Sequence, residues 1–332
     1  MKAVVLDSQH PDKIRLAAMN LPTLGVNEAK IKIHAAALNH RDQWCREGKY
    51  PNLTDAVVLG SDGAGVVIAV GNEVDSSWIG KEVIINPAIH WGNNSRVQDR
   101  NFRILGMPDH GTFAEYLHVD ADRLHTKPEH LDFERAAALP LAGLTAYRAL
   151  VYHGKVKKGD KVLITGYGGG VAQMAVQFAV AMGAEVYVNS GEKSKIDKAI
   201  AMGVKAGFDY QEASWPKQAL DMSGGFDLIV DSAMGDTLSN LLDVVRPGGS
   251  IVFYGATLGN PSQLNARKVF WNQIRIQGST MGSDQDFSDM LLFVNGKKIV
   301  PQIDSVRPLE NALEAFEKMA SGNQMGKLVL KV

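Results

Sequence analysis

The sequence has very little cysteine, since Cys45 is the single cysteine among 332 residues. One cysteine closes no internal disulfide, and it cannot form the cysteine clusters of structural zinc sites. Residues 1–7, MKAVVLD, become polar too early for a secretory signal peptide. We therefore expect a protein of the reducing cytoplasm.

Long apolar runs and an excess of one charge are also missing. No stretch of about 18 uninterrupted apolar residues occurs, so we expect no membrane-spanning helix. The chain carries 35 Lys and Arg against 36 Asp and Glu, for a formal net charge of −1. Such a balance gives no general attraction for nucleic acid or for an anionic membrane surface. The length allows two domains, each with its own core.

The strongest positive signal is the stretch 161–172, KVLITGYGGGVA. A short β-branched run, typical of a buried parallel strand, leads into a glycine cluster and then into a helical apolar pattern. Free backbone N–H groups and the helix dipole converge at such a junction, which suits the pyrophosphate of a dinucleotide. The spacing Gly166-x-x-Gly169-x-x-Ala172 and a second strand at 185–188 favour this interpretation over an ordinary tight turn.

Periodicity divides the chain into two predicted domains. Residues 1–123 are mostly strands and loops, and glycines within the valine-rich run 57–70 favour a coiled, barrel-like sheet. Residues 124–296 settle into alternating strands and helices, which indicates an α/β domain with a doubly wound parallel sheet. Residues 297–332 end in strand patterns again. We predict that this last segment completes the first domain and that the dinucleotide-binding domain is an insertion.

Several further motifs occur in order along the chain. They are Asn39-His-Arg-Asp42, Gly60-Ser-Asp-Gly-Ala-Gly-Val-Val67, Gly111-Thr-Phe-Ala-Glu-Tyr116, Ala138-Leu-Pro-Leu-Ala-Gly-Leu-Thr-Ala-Tyr147, Arg246-Pro-Gly-Gly249 and Met325-Gly-Lys-Leu328. Together with the glycine stretch, they make essentially the whole chain resemble the medium-chain dehydrogenase/reductase superfamily. The resemblance implies a Rossmann domain inserted in a GroES-like β-barrel catalytic domain. It also implies a homodimer formed through the edge strand of the Rossmann domain.

Zinc-dependent members of that superfamily use a Cys-His-Cys set and a separate four-cysteine lobe. This chain has Asn39, Ser61 and Leu141 at or near the places of the catalytic ligands, and its irregular segment 87–110, at the place of the lobe, has no cysteine. Zinc takes thiolate, imidazole or carboxylate ligands, which these side chains do not supply. The chain thus resembles the zinc-free quinone oxidoreductase-like branch. That branch uses hydride from NADPH to reduce a quinone or a carbon–carbon double bond conjugated to a carbonyl.

The resemblance and the side-chain chemistry indicate three candidate catalytic residues. Asn39 is the best polar candidate beside the reacting carbonyl, because an amide N–H stabilises developing oxyanion charge. Trp44 stands where the branch places an aromatic ring against the substrate. Tyr50 suits proton donation only if its pKa is perturbed, and a loop anchor together with protons from bulk water is the alternative. We expect Asp42 and Asp62 to hold neighbouring side chains in place rather than to act as acids.

The end of the second strand of the α/β domain predicts the cofactor. NAD-binding domains usually place an Asp or Glu there to bind the ribose hydroxyls, whereas this chain has Asn189 and Ser190. Ser190, Lys193 and Lys195 offer the hydroxyl and cationic donors that a 2′-phosphate needs. We therefore expect NADPH. The alternative is a solvated helix start in which Glu192 offsets the lysines.

The remaining candidate cofactor residues come from the resemblance and from positions at strand ends. Thr145 resembles the threonine that touches the nicotinamide, Tyr210 resembles a tyrosine near the adenosine phosphate, and Lys327 resembles a lysine that faces the cofactor. Their alternatives are a threonine bonded to its own helix, a strand-end tyrosine without a ligand and a solvated terminal lysine. The glycine turn and the carboxyl edge of the sheet, where ligands of such folds collect, add Gly168, Gly169, Gly170, Val171, Ser232, Tyr254, Gly255, Ala256, Ser279 and Met281.

Two other functions stay open at this point. One is an alcohol dehydrogenase that has lost its metal, although alcohol oxidation needs a Lewis acid or a strong base where this chain has Asn39 and Ser61. The other is a non-catalytic NADPH-binding protein, because a fold does not fix a function.

Overall fold

In the computed structural model, which describes residues 1–332, the chain forms two compact units. We call Met1–Leu144 with Gly282–Val332 the barrel unit, and Thr145–Met281 the parallel-sheet unit. The strands are β1 Lys2–Leu6, β2 Ile14–Ala18, β3 Glu28–Ala37, β4 Asp62–Val70, β5 Glu82–Ile85, β6 Ala88–Ile89, β7 Arg103–Ile104, β8 Tyr116–Asp120, β9 Leu124–Thr126, β10 Lys161–Ile164, β11 Glu185–Ser190, β12 Ala206–Asp209, β13 Phe226–Asp231, β14 Val245–Phe253, β15 Arg275–Gly278, β16 Ile303–Pro308 and β17 Lys327–Lys331. The helices are α1 His40–Arg46, α2 Phe133–Ala137, α3 Pro140–Tyr147, α4 Gly170–Ala181, α5 Lys193–Ala201, α6 Trp215–Ser223, α7 Leu238–Val244, α8 Ala266–Trp271, α9 Asp284–Lys297 and α10 Ala312–Ala320. None of them combines the length and the apolar character that a bilayer-crossing helix needs.

Strand β3 is the centre of the barrel unit, because it pairs antiparallel with β4, β8 and β17. The sheet runs in the order β16-β17-β3-β4-β5-β9, and β8 joins it through β3. The pairing of β17 with β3 confirms that the end of the chain returns to the first sheet. The predicted close approach at strand glycines is also found, since a Cβ on Gly65 would lie 2.1 Å from the Lys32 carbonyl oxygen.

The parallel-sheet unit is a six-stranded sheet in the order β12-β11-β10-β13-β14-β15, with every pair parallel. Its apolar strand β10 is flanked by β11 on one side and β13 on the other, so the strand order reverses beside β10. Such a reversal leaves a crevice at the carboxyl ends of the strands, which is where open α/β sheets bind their ligands. The predicted doubly wound sheet is therefore confirmed.

Local predictions failed at two places. A proline in a helical sequence pattern usually marks an interruption, but Pro140 begins α3, because a proline at the first helical position gives up an N–H that has no intrahelical partner. We assigned no helix within the motif that starts at Asn39, yet α1 begins directly after this residue. This helix is only seven residues long, which is too short for a clear period in the sequence.

The barrel unit continues beyond residue 123 and begins again before residue 297. Helix α2 packs on β3 and β4. Asp284, at the start of α9, accepts a 2.5 Å hydrogen bond from Arg123, and Phe287 lies 4.7 Å from the ring of His125. These contacts attach residues 124–144 and 282–296 to the barrel unit, while the domain bounds at 123 and 297 stay a prediction.

Candidate functional site

The glycine turn lies between β10 and α4, and its backbone conformation depends on glycine. Gly166 has φ 62° and Gly168 has φ 154°, a region that residues with a Cβ rarely adopt. The amide oxygen of Asn189 accepts a 2.9 Å hydrogen bond from the Gly166 N–H, and the Asn189 carbonyl accepts one from the Tyr167 N–H at 2.9 Å. The turn is thus anchored to the end of β11.

Open space lies over the start of α4. A Cβ added to Gly169, the residue before this 12-residue helix, would meet no atom within 4 Å. The backbone of Gly169 is extended, with φ −73° and ψ 152°, so it does not itself require glycine. This space leaves room for a ligand to approach the protein backbone closely, and an anion there would be stabilised by the helix N-terminus.

Asp231 ends β13 and is an acid that we did not single out. It is 1% exposed, and its carboxylate accepts a 2.5 Å hydrogen bond from the Thr165 hydroxyl. The same carboxylate accepts backbone hydrogen bonds from Ala233 at 3.1 Å and Met234 at 2.8 Å. Asp231 therefore fixes the loops on both sides of the crevice, and it is not free to act as a base. Its position at the end of a buried strand was the available signal.

The lysines after β11 behave differently from one another. Lys195 is 8% exposed, and its ammonium nitrogen lies 2.6 Å from Glu192 Oε1. The same nitrogen would be 3.4 Å from a Cβ on Gly168, so it lies beside the glycine turn. Lys193 instead points to solvent and pairs with Asp197 at 3.3 Å. Of the two predicted phosphate-binding lysines, only Lys195 is placed next to the turn.

Two more predicted residues flank this segment. Ser190 is buried, and its hydroxyl oxygen accepts a 3.4 Å hydrogen bond from the Glu192 N–H. The Tyr210 hydroxyl would lie 2.9 Å from a Cβ on Gly191, although half of the tyrosine is exposed. Two hydroxyl groups, one ammonium group and the Glu192 carboxylate therefore surround the end of β11.

The carboxyl edge of the sheet carries the other strand-end residues. The Tyr254 N–H donates to the Asp231 carbonyl at 3.0 Å, and burial raises the pKa of the Tyr254 hydroxyl. A Cβ on Gly255 would lie 3.0 Å from the Ser232 carbonyl oxygen. The Ser279 hydroxyl is buried and has no hydrogen-bond partner. An orphaned hydroxyl at this edge, together with the open space at Gly169, fits a bound dinucleotide.

Five predicted cofactor residues occupy less distinctive positions. Thr145 lies within α3 and is 5% exposed, while Val171 is half-buried in the first turn of α4. Ala256 is exposed after β14. Met281 is buried with φ 43°, an unusual backbone conformation for a residue with a side chain. Gly170 is the first residue of α4. Binding by these residues stays a prediction.

The barrel unit holds a buried polar cluster of Asn39, Asp62 and Lys327, which we call the buried trio. The Lys327 ammonium donates to Asn39 Oδ1 at 2.6 Å and to Asp62 Oδ2 at 2.9 Å, and Asn39 Nδ2 donates to Asp62 Oδ2 at 2.9 Å. The second carboxylate oxygen of Asp62 accepts the Leu141 N–H at 2.8 Å. All three members are at most 7% exposed. The alternative of a solvated terminal lysine is therefore wrong for Lys327.

The buried trio has one possible hydrogen-bond orientation. An ammonium group only donates and a carboxylate only accepts, so Asn39 must turn its oxygen to Lys327 and its nitrogen to Asp62. The amide nitrogen carries two hydrogens, and one of them is bonded to Asp62. The second N–H is the group that our prediction for Asn39 requires.

The helix α1 fixes the position of Asn39. Asn39 precedes the helix with extended backbone, and Asp42 Oδ2 accepts its N–H at 2.8 Å. Burial raises the pKa of Asp42 to about 6, although the nearby Arg41 guanidinium and the Asn39 N–H oppose this rise. The other oxygen of Asp42 has no hydrogen-bond partner. The structural role expected for Asp42 agrees with this geometry.

The residues at the places of the zinc ligands do not form a metal site. Ser61 accepts a 2.8 Å hydrogen bond from Arg41 and donates one to the Leu105 carbonyl at 2.8 Å, while Leu141 offers only its backbone N–H to Asp62. No three His, Cys, Asp or Glu side chains converge where they could hold a metal. This donor set does not fit zinc. That the protein works without zinc stays a prediction.

Trp44 lies within α1 and Tyr50 follows this helix, and neither makes a hydrogen bond to the buried trio. The Arg41 guanidinium stacks over the Tyr50 ring at 4.7 Å, and Trp44 is half-buried with its ring 6.3 Å from that of His40. The arginine contact favours the loop-anchor interpretation of Tyr50. Burial also raises the pKa of the Cys45 thiol to about 12, which makes it a poor nucleophile.

A barrel unit and a parallel α/β unit of the dinucleotide-binding type, present in one chain, are typical of nucleotide-binding oxidoreductases. Residues 25–129 match the alcohol dehydrogenase GroES-like domain, and residues 170–296 match the zinc-binding dehydrogenase family. A zinc-type alcohol dehydrogenase-like protein YogA of Leptosphaeria maculans is 34% identical, with 96% of this chain and 94% of the relative covered. The chain therefore belongs to the medium-chain dehydrogenase/reductase superfamily.

Two further similarities show how diverse the activities of such relatives are. The crystal structure of an NAD-dependent alcohol dehydrogenase is 36% identical and has a TM-score of 0.95, with both chains covered completely. An acryloyl-coenzyme A reductase of Sulfurisphaera tokodaii is 29% identical over the full length of both chains. Membership of the superfamily thus leaves the substrate to be argued from the site.

Proposed function

We propose that the protein is a zinc-independent, NADPH-dependent reductase of quinones, enones or 2-enoyl thioesters, from the quinone oxidoreductase-like branch. The observation that carries this proposal is the buried trio. The positions at which zinc-dependent relatives bind their catalytic metal hold an amide, a hydroxyl and a leucine, and the cation beside Asn39 and Asp62 is Lys327. Hydride transfer to a conjugated acceptor needs alignment and polarisation, which such groups can supply.

Asn39 would polarise the acceptor carbonyl. Its second amide hydrogen remains for a ligand, while its oxygen accepts a charged hydrogen bond from Lys327. This bond withdraws electron density from the amide and makes the remaining N–H a stronger donor. When bound, NADPH supplies the hydride, and the proton for the adjacent carbon comes from water. Asp62 holds the side chains of Asn39 and Lys327 in place by accepting a hydrogen bond from each.

NADPH is proposed from the residues after β11. Lys195 provides a cationic group beside the glycine turn, and Ser190 and Tyr210 provide two hydroxyl groups at the end of β11. Asn189 stands where an acid would bind the ribose of NADH, and its amide is bonded to Gly166. Both features suit a phosphate better than a pair of hydroxyl groups.

Alcohol dehydrogenation is the second candidate function. The 36% identity to the NAD-dependent alcohol dehydrogenase structure favours it. Its weakness is chemical, because removal of hydride from an alcohol requires a metal or a strong base to take the hydroxyl proton. Asp62 is the carboxylate beside Asn39, and it is already bonded to Asn39, Lys327 and Leu141.

A panel of acceptors tests the proposal. Purified protein, dialysed against a chelator, is mixed with NADPH or NADH and a simple quinone, an alkenal, a cyclic enone or a 2-enoyl thioester. We expect oxidation of NADPH with at least one acceptor, at the same rate before and after chelation. Asn39→Ala should lower kcat/KM by about 100-fold with unchanged NADPH affinity. Tight NADPH binding without turnover of any acceptor would contradict the enzymatic proposal, and a rate abolished by chelation would contradict zinc independence.

A cytoplasmic homodimer is proposed along with this activity. Strand β15 is an edge of its sheet, and the neighbouring helix α8 exposes Phe270 and Trp271 with 66% and 77% of their surfaces accessible. A second copy that pairs along β15 would cover the open edge. Sedimentation should give twice the 36.0 kDa chain mass, and a stable monomer would overturn the proposal.

A further inference from the structure

The segment after β11 brings a carboxylate and an ammonium group together at the place where we propose that the cofactor ribose binds. Glu192 directly precedes α5, and its Oε1 lies 2.6 Å from the Lys195 ammonium nitrogen. Lys195 has only 10% of its side chain exposed, whereas Glu192 has 52% exposed. The Lys195 ammonium group is thus buried beside the glycine turn, whereas about half of the Glu192 side chain is in contact with solvent.

These two side chains have opposite consequences for the two nicotinamide cofactors. The 2′-phosphate of NADPH gains from Lys195 but is repelled by a carboxylate that already neutralises this lysine. The ribose of NADH carries two hydroxyl groups, and an acid near the second strand is the usual acceptor for them. Glu192 is the only acid between the end of β11 and Lys195.

We propose that Glu192 is a specificity-determining residue that limits the preference for NADPH and allows NADH to bind. The proposal rests on the cofactor site assigned above. With NADPH, the carboxylate leaves Lys195 and turns to solvent, so that the ammonium group pairs with the phosphate. With NADH, the carboxylate stays on Lys195 and accepts a ribose hydroxyl. The Glu192 carboxylate and the 2′-phosphate of NADPH therefore compete for the ammonium group of Lys195.

Cofactor titrations on Glu192→Gln test this inference without any acceptor substrate. Glutamine keeps the size of the side chain and removes its charge. We expect the Kd for NADPH to fall by about tenfold and the Kd for NADH to rise by a few-fold, because Lys195 is no longer neutralised. Lys195→Met should instead weaken NADPH far more than NADH.

Asp197→Asn is the matched control. Asp197 lies on α5 and also pairs with a lysine, but this lysine is the exposed Lys193. The variant removes the same charge from the same helix, so both Kd values should stay within about twofold of the unmodified protein. An unchanged ratio of the two Kd values in Glu192→Gln would overturn the inference. Failure of the unmodified protein to bind either cofactor would instead overturn the proposed function.

Discussion

The Lys327 ammonium nitrogen lies 2.9 Å from the Asp62 carboxylate, although the two residues are 265 positions apart in the chain. Lys327 is 4% exposed and Asp62 is fully buried. Two buried charges of opposite sign stabilise each other only while both are present, because each has lost its hydration. Removal of either charge should therefore lower both the stability of the protein and its activity.

Loss of Lys327 should destabilise the barrel unit strongly. Lys327→Met leaves the Asp62 carboxylate buried without a cation, and we expect the free energy of unfolding to fall by about 3 kcal/mol in urea denaturation. The double variant Asp62→Asn with Lys327→Met should recover much of this loss. Lys331→Met is the control, because Lys331 lies on the same strand but is exposed. A double variant no more stable than the single one would contradict the ion-pair explanation.

Gly169 should be required for the cofactor and not for the fold. Gly169→Ala adds a methyl group where no protein atom lies within 4 Å, so the thermal midpoint should change little. The affinity for NADPH should fall by tenfold or more, about 1.4 kcal/mol, because the methyl group blocks the approach of the pyrophosphate. Gly296→Ala, which also meets no atom within 4 Å, serves as control and should keep full affinity. Unchanged affinity in Gly169→Ala would remove the glycine turn from the cofactor site.

Asp42 should make stability depend on pH in an unusual direction. Burial raises the pKa of its carboxyl from 3.8 to about 6, so the folded protein binds a proton that the unfolded chain has already lost between these pH values. The contribution of Asp42 to stability is therefore greatest below pH 4 and falls as the pH rises through about 6. The total fall is roughly 3 kcal/mol.

The variant Asp42→Asn isolates this contribution. Asparagine can still accept the Asn39 N–H through its amide oxygen, and it does not titrate. The difference in free energy of unfolding between the variant and the unmodified protein should grow in favour of the variant from pH 4 to pH 7. Denaturation at several pH values measures it, and a difference independent of pH would show that Asp42 keeps an ordinary pKa.

Gln173 is a buried polar residue whose side chain makes no hydrogen bond. It lies in α4, is 1% exposed, and neither its amide oxygen nor its nitrogen has a hydrogen bond. Gln173→Leu should therefore raise the free energy of unfolding by about 1 kcal/mol, because an unpaired buried amide is replaced by an apolar group. Gln218→Leu is the control, since Gln218 is exposed and bonded to Glu212 and Ser214. A loss of stability in Gln173→Leu would show that this amide is satisfied.

The sequence predicted what local patterns determine. The strand predicted at 185–188 is found as β11, because a short apolar run after a glycine is typical of a buried strand. The glycine turn was predicted because its glycines stand between a short apolar run and a helical pattern. Helix α1 was missed because seven residues show no clear period. The start of α3 at Pro140 was missed because a proline can either end or begin a helix.

The site was predictable as a set of residue types but not as a set of contacts. The sequence marked Asn39 and Lys327 separately, and the resemblance directed Lys327 toward the cofactor. Their 2.6 Å hydrogen bond joins residues 288 positions apart, which no local periodicity encodes. Likewise, Asn189 was noted for the acid that it replaces, whereas its amide holds Gly166 in the turn. Such partnerships depend on the tertiary fold.

The pairing of β17 with β3 has a consequence for synthesis of the chain. The whole parallel-sheet unit is translated between these two strands, so it can begin to fold while β3 still lacks one neighbour. At roughly 5–20 residues per second, the 288 positions from Asn39 to Lys327 take between about 15 and 60 s. During this interval Asp62 lacks the Lys327 ammonium group, and residues 35–37 of β3 lack the strand that later pairs with them. The sheet of the barrel unit is therefore complete only after β17 has emerged.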